Sequence, residues 1–198
     1  GTSAGTIKIW DTVALSLAKE QPNAGTLVAW SPDGTKIVSA FGATIKVWDS
    51  SLNEVRTVNS NSSVHSVAFS PDGSKIVSGD TDGSVINGIE SVPAGLGTII
   101  VWDAASLSLV ARKDNAHTNT VYSVAFSPDG TKIVSGSGAY RWNSIRTWNA
   151  ATLDLEGNNE EDPGYTTGHT DRSEPRVVVR FSPDGKRIAS GSWDQTIK

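Results

Sequence analysis

At 198 residues, with 37% hydrophobic and 19% charged residues, 19 glycines and 8 prolines, the chain is apolar enough for a packed core and too apolar for a disordered segment. A formal charge of -4 with both signs intermixed supplies neither a basic footprint for nucleic acid nor attraction to an anionic membrane. The absence of cysteine excludes disulfides, thiolate metal sites and a cysteine nucleophile, and leaves the compartment open.

No apolar run approaches the roughly 18 residues of a bilayer span, so membrane insertion is not expected. No charged-then-apolar leader is expected at the start of the chain. There is no methionine, so a chain opening Gly1-Thr2-Ser3 is expected to be processed, excised or engineered.

In chain order, the first predicted element is the strand Thr6 to Asp11 (TIKIWD), followed by a weaker strand at Leu15 to Lys19. An alternating run, Thr26 to Trp30, then meets the turn Ser31-Pro32-Asp33-Gly34 and a short strand, Lys36 to Ser39. Proline presets φ early in such a turn, aspartate bonds neighbouring amides, and glycine takes the positive φ at its close, so the unit reads as a β-hairpin. Strands at Thr44 to Asp49 and Glu54 to Val58 complete it. The same order recurs from Val64 to Phe69, Ser70 to Gly73 and Lys75 to Ser78, with further strands at Thr98 to Asp103 and Leu109 to Lys113. It recurs again from Val121 to Phe126, Ser127 to Gly130 and Lys132 to Ser135, with Ser144 to Asn149 and Leu153 to Glu156. A last hairpin, Val177 to Phe181, Ser182 to Gly185 and Arg187 to Ser190, leads into Gln195 to Lys198, a cut-short third strand.

The SPDG copies are 39, 57 and 55 residues apart, which places inserts at about 80–97, 138–143 and 157–175. Ser84 to Ile89 is an alternative third strand for its repeat in place of 98–102.

Four SPDG turns, SG-type second strands and TIKVWD-like third strands together resemble the WD40 repeat over nearly the whole chain. The resemblance implies an all-β fold of four-stranded antiparallel propeller blades, about four here, packed radially around a channel. The blades are expected at about 26–58, 63–113 and 120–156, with a half-blade at 1–20 and a partial blade at 175–198. Trp10, Trp48, Trp102 and Trp148 are expected to pack between blades. The family's buried network of histidine, serine, aspartate and tryptophan is expected in the last repeat, with His169, Ser190 and Asp194. Its tryptophan would be Trp10, brought round from the other end or from another molecule. His117 lacks the aspartate and His65 falls inside a strand, so the other blades are expected to be held mainly by packing.

Chemistry is sparse. Three histidines give no convergent metal set, and Asp80 to Ser84 reads as an Asp-Gly turn in preference to a calcium loop. Glu156, Glu160, Glu161 and Asp162 read as a solvated acidic loop. Asn61-Ser62-Ser63 is a possible glycosylation acceptor at a blade junction. The serines are accounted for by SPDG and SG positions, so no cofactor and no catalytic set is expected. Tyr140, Arg141, Trp142, Tyr165 and Trp193 fall outside the repeated core positions and are candidate partner contacts.

The resulting expectation is a noncatalytic scaffold whose loops bind protein partners, not nucleic acid. A second expectation is self-assembly through complementary half-blades, as an eight-bladed two-chain ring or a head-to-tail fibre. A third is a piece of a longer propeller, since the resemblance implies rings of mostly seven or eight blades.

Overall fold

A computed structural model of the chain describes residues 5–81, 96–138, 144–158 and 177–192. Their regular structure is all β, and every sheet is antiparallel. β1 (Thr6–Trp10) and β2 (Leu17–Pro22) form a two-stranded half-blade. Blade one follows as β3 (Leu27–Trp30), β4 (Lys36–Phe41), β5 (Thr44–Asp49) and β6 (Glu54–Asn59). Blade two contains β7 (Ser63–Phe69), β8 (Lys75–Thr81), β9 (Gly97–Asp103) and β10 (Leu109–His117). Blade three contains β11 (Val121–Phe126), β12 (Lys132–Ser137), β13 (Ser144–Asn149) and β14 (Leu155–Asn158). β15 (Val177–Phe181) and β16 (Ile188–Ser192) pair as a second half-blade.

Each first-to-second connection closes on the SPDG turn. Gly73 takes φ of 71° and donates its N–H to the Ser70 carbonyl at 2.9 Å, while the Ser70 hydroxyl donates to Asp72 at 2.6 Å. The other three turns repeat this pattern. The donated bonds, led by the serine hydroxyl, pull the Asp33, Asp72 and Asp129 carboxyls down to about 2.

The turns also stack. A Cβ at Gly73 would meet the Pro32 ring of the preceding blade, one at Gly130 would meet Pro71, and one at Gly185 would meet Pro128, each at 3.5–3.6 Å. Third-to-fourth connections turn through a leucine with positive φ, at Leu15, Leu52, Leu107 and Leu153. Leu52, Leu107 and Leu153 are buried, which offsets a conformation that disfavours a branched side chain.

The core is a series of seams between successive sheets. First strands pack on the first and second strands of the blade before: β7 on β3 and β4, β11 on β7 and β8, β15 on β11 and β12. Val38, Ile45, Val64 and Phe69 belong to one such seam and Val77, Val121, Val124 and Phe126 to the next. In blades two and three the second-strand SG pair permits this approach, and in blade one the small Ala40 stands at the same place. A Cβ at Gly79 would lie 2.6 Å from Val121 Cγ1, and one at Gly136 would lie 2.8 Å from the Val177 carbonyl oxygen.

Several boundaries differ from expectation. The third strand of blade two is β9, which pairs with β8 from Asp80↔Thr98 to Lys75↔Asp103, and 84–89 lies outside the described residues. Asp80 and Thr81 belong to β8 and Gly97 to β9, so the insert takes less than 80–97. β2 begins at Leu17 because Leu15 forms the turn, and β14 runs from Leu155 to Asn158, past the expected end of its blade at 156.

Candidate interaction surface

Inside each complete blade a tryptophan is tied to a second-strand serine. The Trp48, Trp102 and Trp148 indole N–H groups donate to the hydroxyls of Ser39, Ser78 and Ser135 at 2.8, 3.1 and 2.8 Å, and all six residues are buried. In blade three the chain extends to His117, whose Nε2 lies 2.6 Å from Ser135 Oγ and whose ring meets Trp148 edge-on. Arg146 anchors the same corner by donating to the Ala116 carbonyl at 2.5 Å. Burial, aided by the Arg146 charge, pushes His117 down to about 3, so its ring is neutral near pH 7.

The serine–tryptophan bond thus forms in all three complete blades, beside the packing expected to be their main support. Trp10 differs from these three tryptophans in the structure. It is 53% exposed, because among the described residues the half-blade β1–β2 has no first and second strands to lie against it. Val28 and Trp30 on β3 are likewise about half exposed, whereas Val124, Val179, Phe69 and Phe126, at the matching distances from the SPDG turn, are buried.

The first strands present what the sequence pattern did not disclose. The ladder between β7 and β8 slips between Val64 and Ser66, and that between β11 and β12 slips between Val121 and Ser123. His65 and Tyr122 are the extra residues of these two bulges, and a bulge redirects the side chain it carries. The two rings are half-buried and meet edge-on at 5.7 Å, bridging adjacent blades. Inner strands are also linked through hydroxyls: the Val124 N–H donates to Ser66 Oγ and the Val179 N–H to Ser123 Oγ, both at 3.1 Å.

The bulges lie where β7 and β11 begin. Because Ser63 pairs with Thr81 and Val121 with Ser137, the connections that follow β8 and β12 leave from this same end of the blades. Tyr140, Arg141 and Trp142 belong to the second of those connections in the chain. Tyr140, Arg141, Trp142, Tyr165, His169, Trp193 and Asp194 all lie outside the described residues.

Ser190 is buried on β16, opposite Val179 of β15. Asn61 is exposed at the β6–β7 junction, with φ of 61° and its N–H donated to Asn59 Oδ1 at 2.8 Å. Glu156 is not free loop; it lies in β14 and pairs with Lys132, which holds its carboxyl below the ordinary range.

Asp80 is fully buried, and neither of its carboxyl oxygens receives a hydrogen bond of ordinary geometry. Burial pushes it up to about 7, an effect that Ser78, Ser60 and the Arg112 charge only partly offset. Among the described residues no group of three histidine, aspartate or glutamate side chains could hold a metal ion, and no helix is long and apolar enough to cross a membrane.

The family signature described as WD domain, G-beta repeat matches residues 26–49, 52–86, 110–149 and 163–198. The chain is 28% identical over 175 residues to the serine-threonine kinase receptor-associated protein of Mus musculus, covering 85% of this chain and 40% of that protein. It is 30% identical over 111 residues to Protein hir1 of Aspergillus terreus, covering 51% and 10%. It is 39% identical over 79 residues to an uncharacterized WD repeat-containing protein of Synechocystis, covering 40% and 19%. The chain thus spans two-fifths or less of the length of these relatives. With its repeated four-stranded sheets and the signature matched over most of its length, the chain belongs to the WD40 repeat family.

Proposed function

We propose that the chain is a noncatalytic scaffold that binds protein partners at the end of the blades where the first strands begin. The observation that carries this reading is the pair of matching bulges that bring His65 and Tyr122 together between blades two and three. A surface of this kind gains affinity from ring side chains held by rigid strands, while loops supply discrimination. Tyr140, Arg141, Trp142 and the insert after Thr81 extend the proposed surface, with Tyr165 and Trp193 as further candidate contacts. The relatives' names, one of them a receptor-associated protein, support a role in association. The test is to recover binding partners on immobilised chain, then compare His65→Ala/Tyr122→Ala and Tyr140→Ala/Trp142→Ala variants. A loss of affinity of about tenfold or more in at least one pair is expected, and unchanged affinity for every partner in both pairs would refute the placement.

A second reading is favoured by the half exposure of Trp10, Val28 and Trp30. Strands β15 and β16 have the first-and-second-strand pattern that would cover them, so two copies could join through these half-blades, or many copies head to tail. Light scattering across a concentration series checks it. A mass of twice the 20.8 kDa chain or larger is the expected result, and 20.8 kDa at every concentration would exclude it.

A further inference from the structure

The buried acid in blade two stands directly behind the surface just described. In register, Asp80 faces Val64 on β7 and Thr98 on β9, and the bulge that redirects His65 begins at Val64. Thr81, the next residue, donates its hydroxyl to Thr120 Oγ1 at 2.7 Å, clasping blade two to blade three just before β11. Ser78 and Ser60 are the side chains whose hydroxyls draw the Asp80 carboxyl down, yet neither of its oxygens has a hydrogen bond of ordinary geometry. The Thr98 and Ser62 hydroxyls, like both oxygens of Asp80, are buried and receive or give no hydrogen bond of ordinary geometry.

Blade three shows the alternative. Ser137, at the position matching Asp80, donates to the Asn119 carbonyl at 3.0 Å, and His117 occupies the position that Ser60 holds in blade two. Blade two therefore carries a carboxyl where its neighbour carries a neutral hydroxyl. A neutral carboxylic acid in this setting has a proton to donate to a neighbouring hydroxyl or carbonyl, whereas a carboxylate has only the Ser78 and Ser60 hydroxyls and the Arg112 charge in its favour, which burial outweighs.

We propose that Asp80 is a proton-operated support for the His65–Tyr122 surface: protonated, it holds the β7 bulge and the Thr81–Thr120 clasp in place, and ionised, it loosens both. The proposal rests on the interaction reading only for its biological use, since the structural effect belongs to the chain alone. Loss of the proton with rising pH would thus weaken the surface, and mild acid would firm it.

Among the described residues, few charged or titratable groups stand on the elements about the site. Arg112 on β10 is the charge whose field reaches Asp80, and it is itself paired with Asp114 at 2.6 Å. On the neighbouring strands β7 carries His65, β11 carries Tyr122 and the end of β10 carries His117, while β9 sets the uncharged Thr98 opposite Asp80.

The test is amide hydrogen exchange of the chain without any partner, from roughly pH 6 to roughly pH 8, corrected for the intrinsic pH dependence. Protection of residues 63–68 and 120–123 is expected to fall about tenfold or more across this range, the equivalent of one pKa unit. Asp80→Asn and Asp80→Ser should remove that fall, and His65→Asn should keep it. Persistence of the transition in the Asp80 variants, or its loss in His65→Asn, would overturn the proposal. Should both Asp80 variants fail to fold, the carboxyl carbon resonance of Asp80 decides in the unaltered chain. Titration near neutrality supports the support role, and titration in the ordinary carboxylate range ends it. Because no partner is present, a failure here leaves the interaction surface standing, and unchanged binding in the His65/Tyr122 variants leaves this result intact.

Discussion

At the scale of single residues, one leucine position repeats in four different settings. Leu153 has positive φ and is almost completely enclosed, whereas Leu15 has the same backbone at 76% exposure. The backbone cost is common to both, so only packing separates them. Leu153→Ala is expected to destabilise the fold by about 2–5 kcal/mol, the range for emptying a buried leucine site, and Leu15→Ala by no more than about 0.5 kcal/mol. Denaturant melts of the two variants check this, and comparable losses would show that the turn conformation, not the seam beneath it, sets the stability there. The tryptophans follow the same logic: the positions match in sequence, yet Trp148 is buried with its N–H bonded and Trp10 is half exposed.

At the scale of elements, the close approach of blade three to blade two depends on the second-strand glycine. Gly79→Ala would drive a methyl group into Val121 and Val124, with the Val121 carbonyl oxygen only 3.1 Å away. A loss of about 1–3 kcal/mol is expected, read from the shift in the midpoint of urea unfolding, and an unchanged midpoint would mean the first strand of the next blade yields without cost. The hairpins themselves were legible in the sequence, because Ser-Pro-Asp-Gly states its turn through local chemistry and KIVSG states its seam through the missing side chain. The bulges were not. A one-residue slip between Val64 and Ser66 leaves the apolar alternation of SVHSVAF looking regular, and only the partner strand reveals that His65 has been turned aside. Asp80 was misread for a related reason. Next to Asp82 and Gly83 it looks like a turn residue, but β8 continues through it and β9 closes over it.

For the molecule as a whole, two buried groups set opposing responses to pH. His117 is held at about 3 against an ordinary 6.5, so the unfolded chain takes up that proton first and stability is lost as pH falls from 6.5 toward 3. Asp80 is held at about 7 against an ordinary 3.8, so the folded chain keeps its proton longer and stability is lost as pH rises from 3.8 toward 7. Where the windows overlap, the two slopes, each up to about 1.4 kcal/mol per pH unit, oppose one another. Asp80→Asn should therefore unmask stability that climbs with pH across the overlap, and His117→Gln stability that declines. Unfolding free energies measured at a series of pH values check the signs, and slopes of the same sign in both variants would refute the pairing.

The hairpins of blades two and three share the segment SVAFSPDG, at Ser66 to Gly73 and Ser123 to Gly130, and each rests its turn glycine on the proline of the blade before. An unequal recombination within that shared segment joins Phe69 to Ser127 and removes residues 70–126, which is 57 residues and one full structural period. The product brings Gly130 toward Pro32 in place of Gly73, within an unchanged Ser-Pro-Asp-Gly turn. The reciprocal product carries one blade more. Blade number in such a chain can thus change by whole units in a single genetic event, with β7 taking the place of β11 and Ser66 that of Ser123. A synthetic chain lacking residues 70–126 is expected to remain folded, with a cooperative thermal transition; loss of that transition would show that the junctions are less interchangeable than their shared residues imply.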